Sequence, residues 1–131
     1  MSQFTLGKRH QRSYSPEGLM VLRGPKEHYK QGSHWVVGDQ HGYAELQLMH
    51  DSKSYNENTL YIEHLAIKEP IRRRGHGRAL YKKVELFAQN IGVDYIQLDS
   101  EQETVGFWNK MGFSEIDVIY YQNKKAMIKK I

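Results

Sequence analysis

Between residues 59 and 99 the apolar period of the chain changes twice, and this constrains the fold more than any other feature. Thr59-Leu60-Tyr61-Ile62-Glu63-His64-Leu65-Ala66-Ile67 is β-branched, aromatic and mixed in face, as suits a central strand. After Pro70, Leu80, Val84, Phe87 and Ile91 repeat at helical spacing, which predicts an amphipathic helix over 75–91. Gly92 stands at the C′ position, where a positive φ ends a helix cheaply. Tyr95-Ile96-Gln97-Leu98-Asp99 then reads as a second strand. A right-handed crossover through the helix makes the two strands parallel.

The flanks extend the same pattern. Trp35-Val36-Val37 and Tyr43-Ala44-Glu45-Leu46-Gln47-Leu48-Met49 enclose a Gly-bounded polar loop and read as a β-hairpin. A shorter helix is predicted over 103–111, ended by Gly112. Ile116 to Tyr121 and Lys125 to Ile128 read as a closing hairpin around Gln122-Asn123-Lys124. Residues 1–32 are the least legible, and Leu19-Met20-Val21-Leu22 suits either helix or strand. The fold class is therefore α/β, a mixed central sheet with flanking helices. At 131 residues, without linker or repeat, the chain is read as one domain over 1–131.

Composition excludes several classes of function. With no cysteine there is no disulfide framework, thiolate metal site or cysteine nucleophile. The seven histidines show no metal-ligand spacing on one helix, so no metal is expected. No apolar run approaches the roughly 20 residues that span a membrane, and Met1 to Arg12 lacks the apolar core of a signal peptide, which gives a cytoplasmic expectation.

The chemistry concentrates in Arg72-Arg73-Arg74-Gly75-His76-Gly77-Arg78-Ala79, between the central strand and the long helix. Glycines there let backbone N–H groups approach a ligand, and the opening turn of a helix offers N–H groups without intrahelical partners. Together with the helix dipole and the arginines, this makes a phosphate site. The Walker pattern Gly-x-x-x-x-Gly-Lys-Ser/Thr is absent, and Leu80 stands where a dinucleotide fingerprint needs its third glycine.

Arg72-x-x-Gly75-x-Gly77 instead resembles the acyl-CoA loop of the GNAT superfamily of N-acyltransferases, (Gln/Arg)-x-x-Gly-x-(Gly/Ala). It follows Leu65-Ala66-Ile67, similar to the segment that precedes that loop in the family, and it opens an amphipathic helix. Val105-Gly106-Phe107-Trp108-Asn109-Lys110-Met111-Gly112-Phe113 resembles the second signature, Ala-x-x-Phe-Tyr-x-x-x-Gly-Phe. The resemblance covers roughly residues 35–131.

It implies a GNAT-like fold and transfer of an acetyl group from the cosubstrate acetyl-CoA to a primary amine, by direct attack in a ternary complex. The backbone of Arg73, Arg74, Gly75, His76 and Gly77, with Arg72, Arg78 and Ala79 nearby, would hold the pyrophosphate. The backbone of Leu65 and Ile67 would pair with the pantetheine arm, and an N–H at Leu65 or Ala66 would hold the oxyanion. Trp108 stands against the cofactor where the family usually has a tyrosine acid; an indole N–H cannot supply that proton. Acceptable bases are Glu63 first, Tyr61 second and Asp99 third. Period-two alternation puts Tyr61, Glu63 and Leu65 on one face and Ile62, His64 and Ala66 on the other.

Two other readings use the same residues: an acyl-CoA sensor without catalysis, and a basic module binding nucleic acid or an acidic protein. Charge placement weighs against nucleic acid. Lys68 to Lys83 carries seven basic residues and one acid, a local +6 within a chain of net +4, so the remainder sums to −2. The expected partners are acetyl-CoA and an amine acceptor, with the protein a monomer or homodimer.

Overall fold

A computed structural model describes residues 15–28, 32–48, 58–68, 75–116 and 123–131, with the side chains of 26–28 and 32 excepted. The chain runs β1 (Met20–His28), β2 (Gly32–Asp39), β3 (Gly42–Leu48), β4 (Thr59–Ile67), α1 (His76–Ile91) and β5 (Tyr95–Glu101). A 3-10 turn (Gln102–Thr104), α2 (Val105–Lys110), β6 (Ser114–Glu115) and β7 (Lys124–Lys130) follow. The sheet order is β1-β2-β3-β4-β5-β7-β6. β4 and β5 are parallel, as the crossover requires, and the other neighbours are antiparallel.

The α1 stripe drives this arrangement. Leu80, Tyr81, Val84, Phe87 and Ala88 are buried along one side of the helix. They close over Trp35, Val37, Ala44, Leu46, Leu60, Ile62, Ile96, Leu98 and Met127 in one core. The Trp35 ring meets Phe87 edge to face at 5.4 Å. At the helix end Gly92 takes φ 91°, and its N–H and that of Val93 both reach the Ala88 carbonyl.

Sequence and structure part in four places. Leu19–Leu22 resolves to a buried Leu19 followed by β1, because Met20 pairs with Gly38 across the β1–β2 hairpin. The predicted short helix is a 3-10 turn running into α2, and β5 continues to Glu101. In the closing hairpin β7 forms as expected, but its described partner is Ser114–Glu115, two residues earlier than the predicted first arm. Most of that arm, including Tyr120 and Tyr121, lies outside the described residues.

The fourth difference concerns the central strand. Leu46 pairs with Ile62 but Glu45 pairs with His64, so β4 carries one extra residue at that step, a β-bulge. Alternation fails there. Leu65 pairs with buried Ala44 and shares the core face with Ile62, whereas Glu63 and His64 both turn outward. The expected grouping of Leu65 with Tyr61 and Glu63 is therefore corrected.

Two ionic ties hold α1 to the sheet. Asp39 accepts from the His41 and Gly42 amides at 2.8 and 3.1 Å and from Lys83 Nζ at 3.0 Å. Glu85 accepts from Lys129 Nζ at 2.6 Å and from Tyr81 Oη at 2.8 Å, while Lys129 also donates to the Met111 carbonyl. Burial alone would raise both carboxyls. The His41 amide and Lys83 outweigh it for Asp39, and Lys129 and Tyr81 outweigh it for Glu85, holding each below its ordinary 3.8 or 4.5.

A lowered folded pKa adds stability above the ordinary value and loses it as pH falls through the folded one. Thermal melts should therefore show a midpoint that declines below about pH 4. Asp39→Asn should cost about 1–2 kcal/mol at pH 7 and flatten that acid limb, because the charged partner of Lys83 is gone. Phe87→Ala should cost about 3–5 kcal/mol at every pH, as an apolar cavity does not titrate.

Candidate functional site

Two features meet at the C-terminal end of the parallel pair. The β4–β5 ladder runs from Thr59–Tyr95 to Ile62–Leu98 and stops there. Beyond it, Glu63 to Ile67 stays laddered to β3 on its other side, through to the Gly42–Ile67 pair. The two parallel strands thus part where Leu65 and Ala66 lie, leaving a cleft lip of extended backbone.

The helix that follows β4 opens on glycine. Gly75 caps α1 with φ 82°, a left-handed angle that glycine takes at no steric cost, and its carbonyl accepts from Ala79 N at 3.0 Å. A Cβ at Gly75 would meet nothing within 4 Å, so the backbone angle, not crowding, is what asks for glycine. The amides of His76, Gly77 and Arg78 form the first helical turn, where no intrahelical acceptor exists. A Cβ at Gly77 would make ordinary contact with Phe107 at 3.6 Å and Ile67 at 3.7 Å, so a small side chain there fits the fold. Arg78 and Ala79 are exposed beside them. Arg72, Arg73 and Arg74 lie outside the described residues.

This turn is fastened to the β2–β3 hairpin. The His76 ring stacks on His41 with centroids 3.6 Å apart and planes 17° apart. Asp39, its side chain 3% exposed, holds the hairpin turn with one carboxylate oxygen and Lys83 of α1 with the other. Sequence reasoning missed His41 and Asp39 because each acts across the fold; the Asp39-x-His41-Gly42 spacing did contain the local signal for a side-chain-capped turn.

The outer face of the sheet carries the acid–base candidates. Tyr61 pairs with Gln47 and Gln97 across the strands, and its hydroxyl donates to the Asp99 carboxylate. Glu63, on the same face beside the bulge, lies with Oε1 3.1 Å from His34 Nε2. Glu45 Oε1 is 4.0 Å from the same nitrogen. The three candidates thus form two separate pairs, Tyr61 with Asp99 and Glu63 with His34. His34 and Glu45 were not singled out from sequence, since residues on three strands share no spacing. These three side chains bring one nitrogen and two carboxylate oxygens within 4.8 Å of one another. Both carboxylates are more than a third exposed, and only Glu63 is within hydrogen-bond distance of the imidazole, so the group reads as a surface acid–base cluster.

Trp108 is buried, with Tyr81, Phe107 and Phe113 edge-on around it at 5.7, 4.9 and 5.3 Å. Burial and the Glu85 carboxylate push the Tyr81 phenol far up, so it serves there as a fixed donor. Between β1 and β2 only residues 29–31 intervene, and among the described residues no helix covers the outer face. No described helix is long and apolar enough to cross a membrane.

Comparison with known proteins agrees with this arrangement. The crystal structure of PaiA N-acetyltransferase from Thermoplasma acidophilum in complex with coenzyme A superposes with a TM-score of 0.57 at 18% identity, over 75% of this chain and 60% of that one. A GNAT family acetyltransferase from Elizabethkingia anophelis with acetyl-CoA bound gives 0.60 at 13% identity, over 88% and 100%. An Arabidopsis thaliana protein in complex with the bisubstrate analogue CoA-Ac-MVNAL gives 0.57 at 21%, over 75% and 72%. In sequence, an uncharacterised N-acetyltransferase of Shouchella clausii is 38% identical over 60 residues, 46% of this chain but only 33% of the relative. The chain thus matches about a third of that relative's length. The sequence model of the acetyltransferase (GNAT) family matches residues 5–113, reaching further toward the N-terminus than the resemblance read from the motifs. With the matched span covering most of the chain and the fold agreeing, the protein belongs to the acetyltransferase (GNAT) family.

Proposed function

We propose that the protein transfers an acetyl group from acetyl-CoA to a primary amine, by direct attack of the amine on the thioester. The observation that carries this reading is the coincidence of the parted β4–β5 lip with the glycine-opened start of α1. The first offers strand-like hydrogen bonds to an extended arm, the second offers amides and positive dipole to a pyrophosphate. Relatives of this fold are crystallised with coenzyme A or acetyl-CoA, which supports the assignment of that ligand.

In this reading the amides of Gly75, His76 and Gly77, with Arg78 and Ala79 at the edge, receive the pyrophosphate. Arg72, Arg73 and Arg74 add the full charges that the sequence places beside it. The backbone of Leu65 and Ile67 guides the pantetheine, and the N–H of Leu65 or Ala66 meets the developing oxyanion. Glu63 takes the proton from the acceptor ammonium, and the amine attacks the thioester carbon. The C–S bond then breaks and the CoA thiolate leaves, taking up, directly or through water, the proton that remains on the attacking nitrogen. Trp108, packed among aromatic rings, walls the cofactor side and donates no proton. The thiolate is a good enough leaving group to depart without a dedicated acid, and the Tyr61–Asp99 pair stands on the same face should one act.

Among the described residues the acceptor side is open. A three-residue link between β1 and β2 leaves no room there for a helical cap, so the outer face can admit a peptide N-terminus, a lysine side chain or a small polyamine. Carboxylates of Glu45, Glu63 and Asp99 give that face an attraction for cations.

Acetyl-CoA at a hundred times its Kd should stabilise the fold by about 2.7 kcal/mol, seen as a higher melting temperature. An oligonucleotide should give no such shift; the reverse outcome would favour the basic binding module. Gly77→Val should fold, its Cβ in ordinary contact with Phe107 and Ile67, yet lose the acetyl-CoA shift, because the added branched bulk hinders close approach of a pyrophosphate to the first-turn amides; native affinity in that variant would refute the pyrophosphate placement. Glu63→Gln should lower the transfer rate by about 10²-fold, the scale of a lost general base, with the acetyl-CoA shift intact. Thiol release measured across a panel of amines and peptides identifies the acceptor, and a shift without release would identify a sensor.

A further inference from the structure

We infer that His34 is the positioning residue of the acceptor site, holding the Glu63 carboxylate in the orientation that receives the amine proton. The inference rests on Glu63 as the base and goes beyond it by assigning the group through which that base is held. Adjacent strands lie about 4.8 Å apart, so β2 and β4, with β3 between them, are separated by about 10 Å. A contact between their side chains therefore needs both to lean inward over β3. His34 and Glu63 do so, with Nε2 3.1 Å from Oε1. His34 pairs with Gln47 of β3, which pairs in turn with Tyr61 of β4; Glu63 lies on the same face two residues further on, beside the bulge at Glu45–His64.

The chemistry follows from the two ends of the contact. The Glu63 side chain is 38% exposed, so without an anchor it would sample several rotamers. The imidazole is only 15% exposed and stands on the middle of the sheet. With Nε2 protonated, the ring donates to Oε1 and leaves Oε2 as the one oxygen facing an incoming ammonium. Glu45, 4.0 Å from the same nitrogen, completes a surround of two carboxylates about one ring, which favours the N–H on Nε2 over its partner nitrogen. Lys26 of β1 pairs with His34 in the strand register, and Tyr43 and His64 meet at 5.6 Å further along the face. When Glu63 accepts the ammonium proton on Oε2, the hydrogen bond at Oε1 keeps the carboxyl group from turning away before the amine attacks. The proton balance of the transfer is unchanged, because His34 neither gains nor loses one.

A solvent-facing ion pair alone contributes little to stability, so a purely structural role and a positioning role part clearly in kinetics. The test uses acetyl-CoA and a peptide carrying a free N-terminus and one lysine, assayed in the presence of EDTA. His34→Ala should lower kcat about tenfold with KM for acetyl-CoA unchanged and the melting temperature near native. His34→Gln, which keeps an N–H donor at similar reach, should recover most of that loss. On a Glu63→Gln background, His34→Ala should cost nothing further, since the group it positions has gone. A second readout needs no turnover: ring 15N NMR should find the Nε2–H tautomer of His34 in the native protein and a loss of that preference in Glu63→Gln. Native kcat in His34→Ala beside a crippled Glu63→Gln would overturn the inference and leave the base standing. Full activity in Glu63→Gln would remove the base itself, and an Nδ1–H tautomer in the native protein would overturn the inference with no turnover measured.

Discussion

One surplus residue in β4, opposite the Glu45–Leu46 step, decides which side chains reach the open face of the sheet. A regular strand would alternate Ile62 in, Glu63 out, His64 in, Leu65 out. The core under α1 wants Ile62 and Leu65 inward, three positions apart, and that spacing has no period-two solution. The bulge supplies one by sending Glu63 and His64 out together. What the bulge changes is His64, which joins Glu63 on the open face, and Leu65, which turns to the core; Glu63 keeps the outward position that alternation gives it and reaches across to His34. Bulges of this kind also bend a strand. The bulge follows directly on Ile62, the last β4 residue laddered to β5, so the register shift and the parting of the two strands fall at the same place.

The glycine turn depends on a different tie. An anion site built from amides works only if the amides hold still, and a loop bounded by glycine has little stiffness of its own. The stiffness comes from the β2–β3 hairpin. Asp39 fixes its own turn and Lys83 of α1 at once, and His41 lays its ring on His76 at the first helical position. At the far side of the helix, Glu85, Lys129 and the Met111 carbonyl join α1 to β7 and to the end of α2. Gly112 lies under that lysine, where a Cβ would come within 2.9 Å of Lys129 Cε, and its φ of 100° asks for glycine as well. The glycine of the second motif is thus asked for by its backbone angle in addition to its place in the signature.

What could be read from the sequence was what is local. The α1 stripe, its Gly92 stop, the Gly75 opening and the β2–β3 hairpin all declare themselves through periodicity or turn chemistry within a few residues. The two parallel strands followed from a chirality rule and not from their own composition. Leu19–Leu22 was undecidable because its strand character comes from pairing with β2, a tertiary effect on a segment with no long period. The bulge was invisible for a related reason: alternation is the only pattern a strand shows, and Glu63-His64 breaks it without a glycine to mark the place. His34 and Glu45 escaped notice because a cluster drawn from three strands has no sequence spacing at all.

The division of charge gives these pieces a direction. Of the basic residues from Lys68 to Lys83, Arg78, Lys82 and Lys83 stand on α1, which covers one face of the sheet, while Glu45, Glu63 and Asp99 lie on the other. A mixed surface of net +4 would attract polyanions weakly everywhere. Under the proposed function a segregated one would sort its ligands, a polyphosphate at the helix start and a cation over the strands, with the sheet between them. In direct transfer the acyl carbon must sit at the boundary, reached by the anionic donor from one side and the ammonium from the other. In the proposed transfer Leu65 and Ala66 would occupy that boundary, between the bulge at Glu63–His64 and the strand end that leads into the glycine turn. The sheet thereby keeps the two charges apart while bringing their reactive ends to one stretch of backbone.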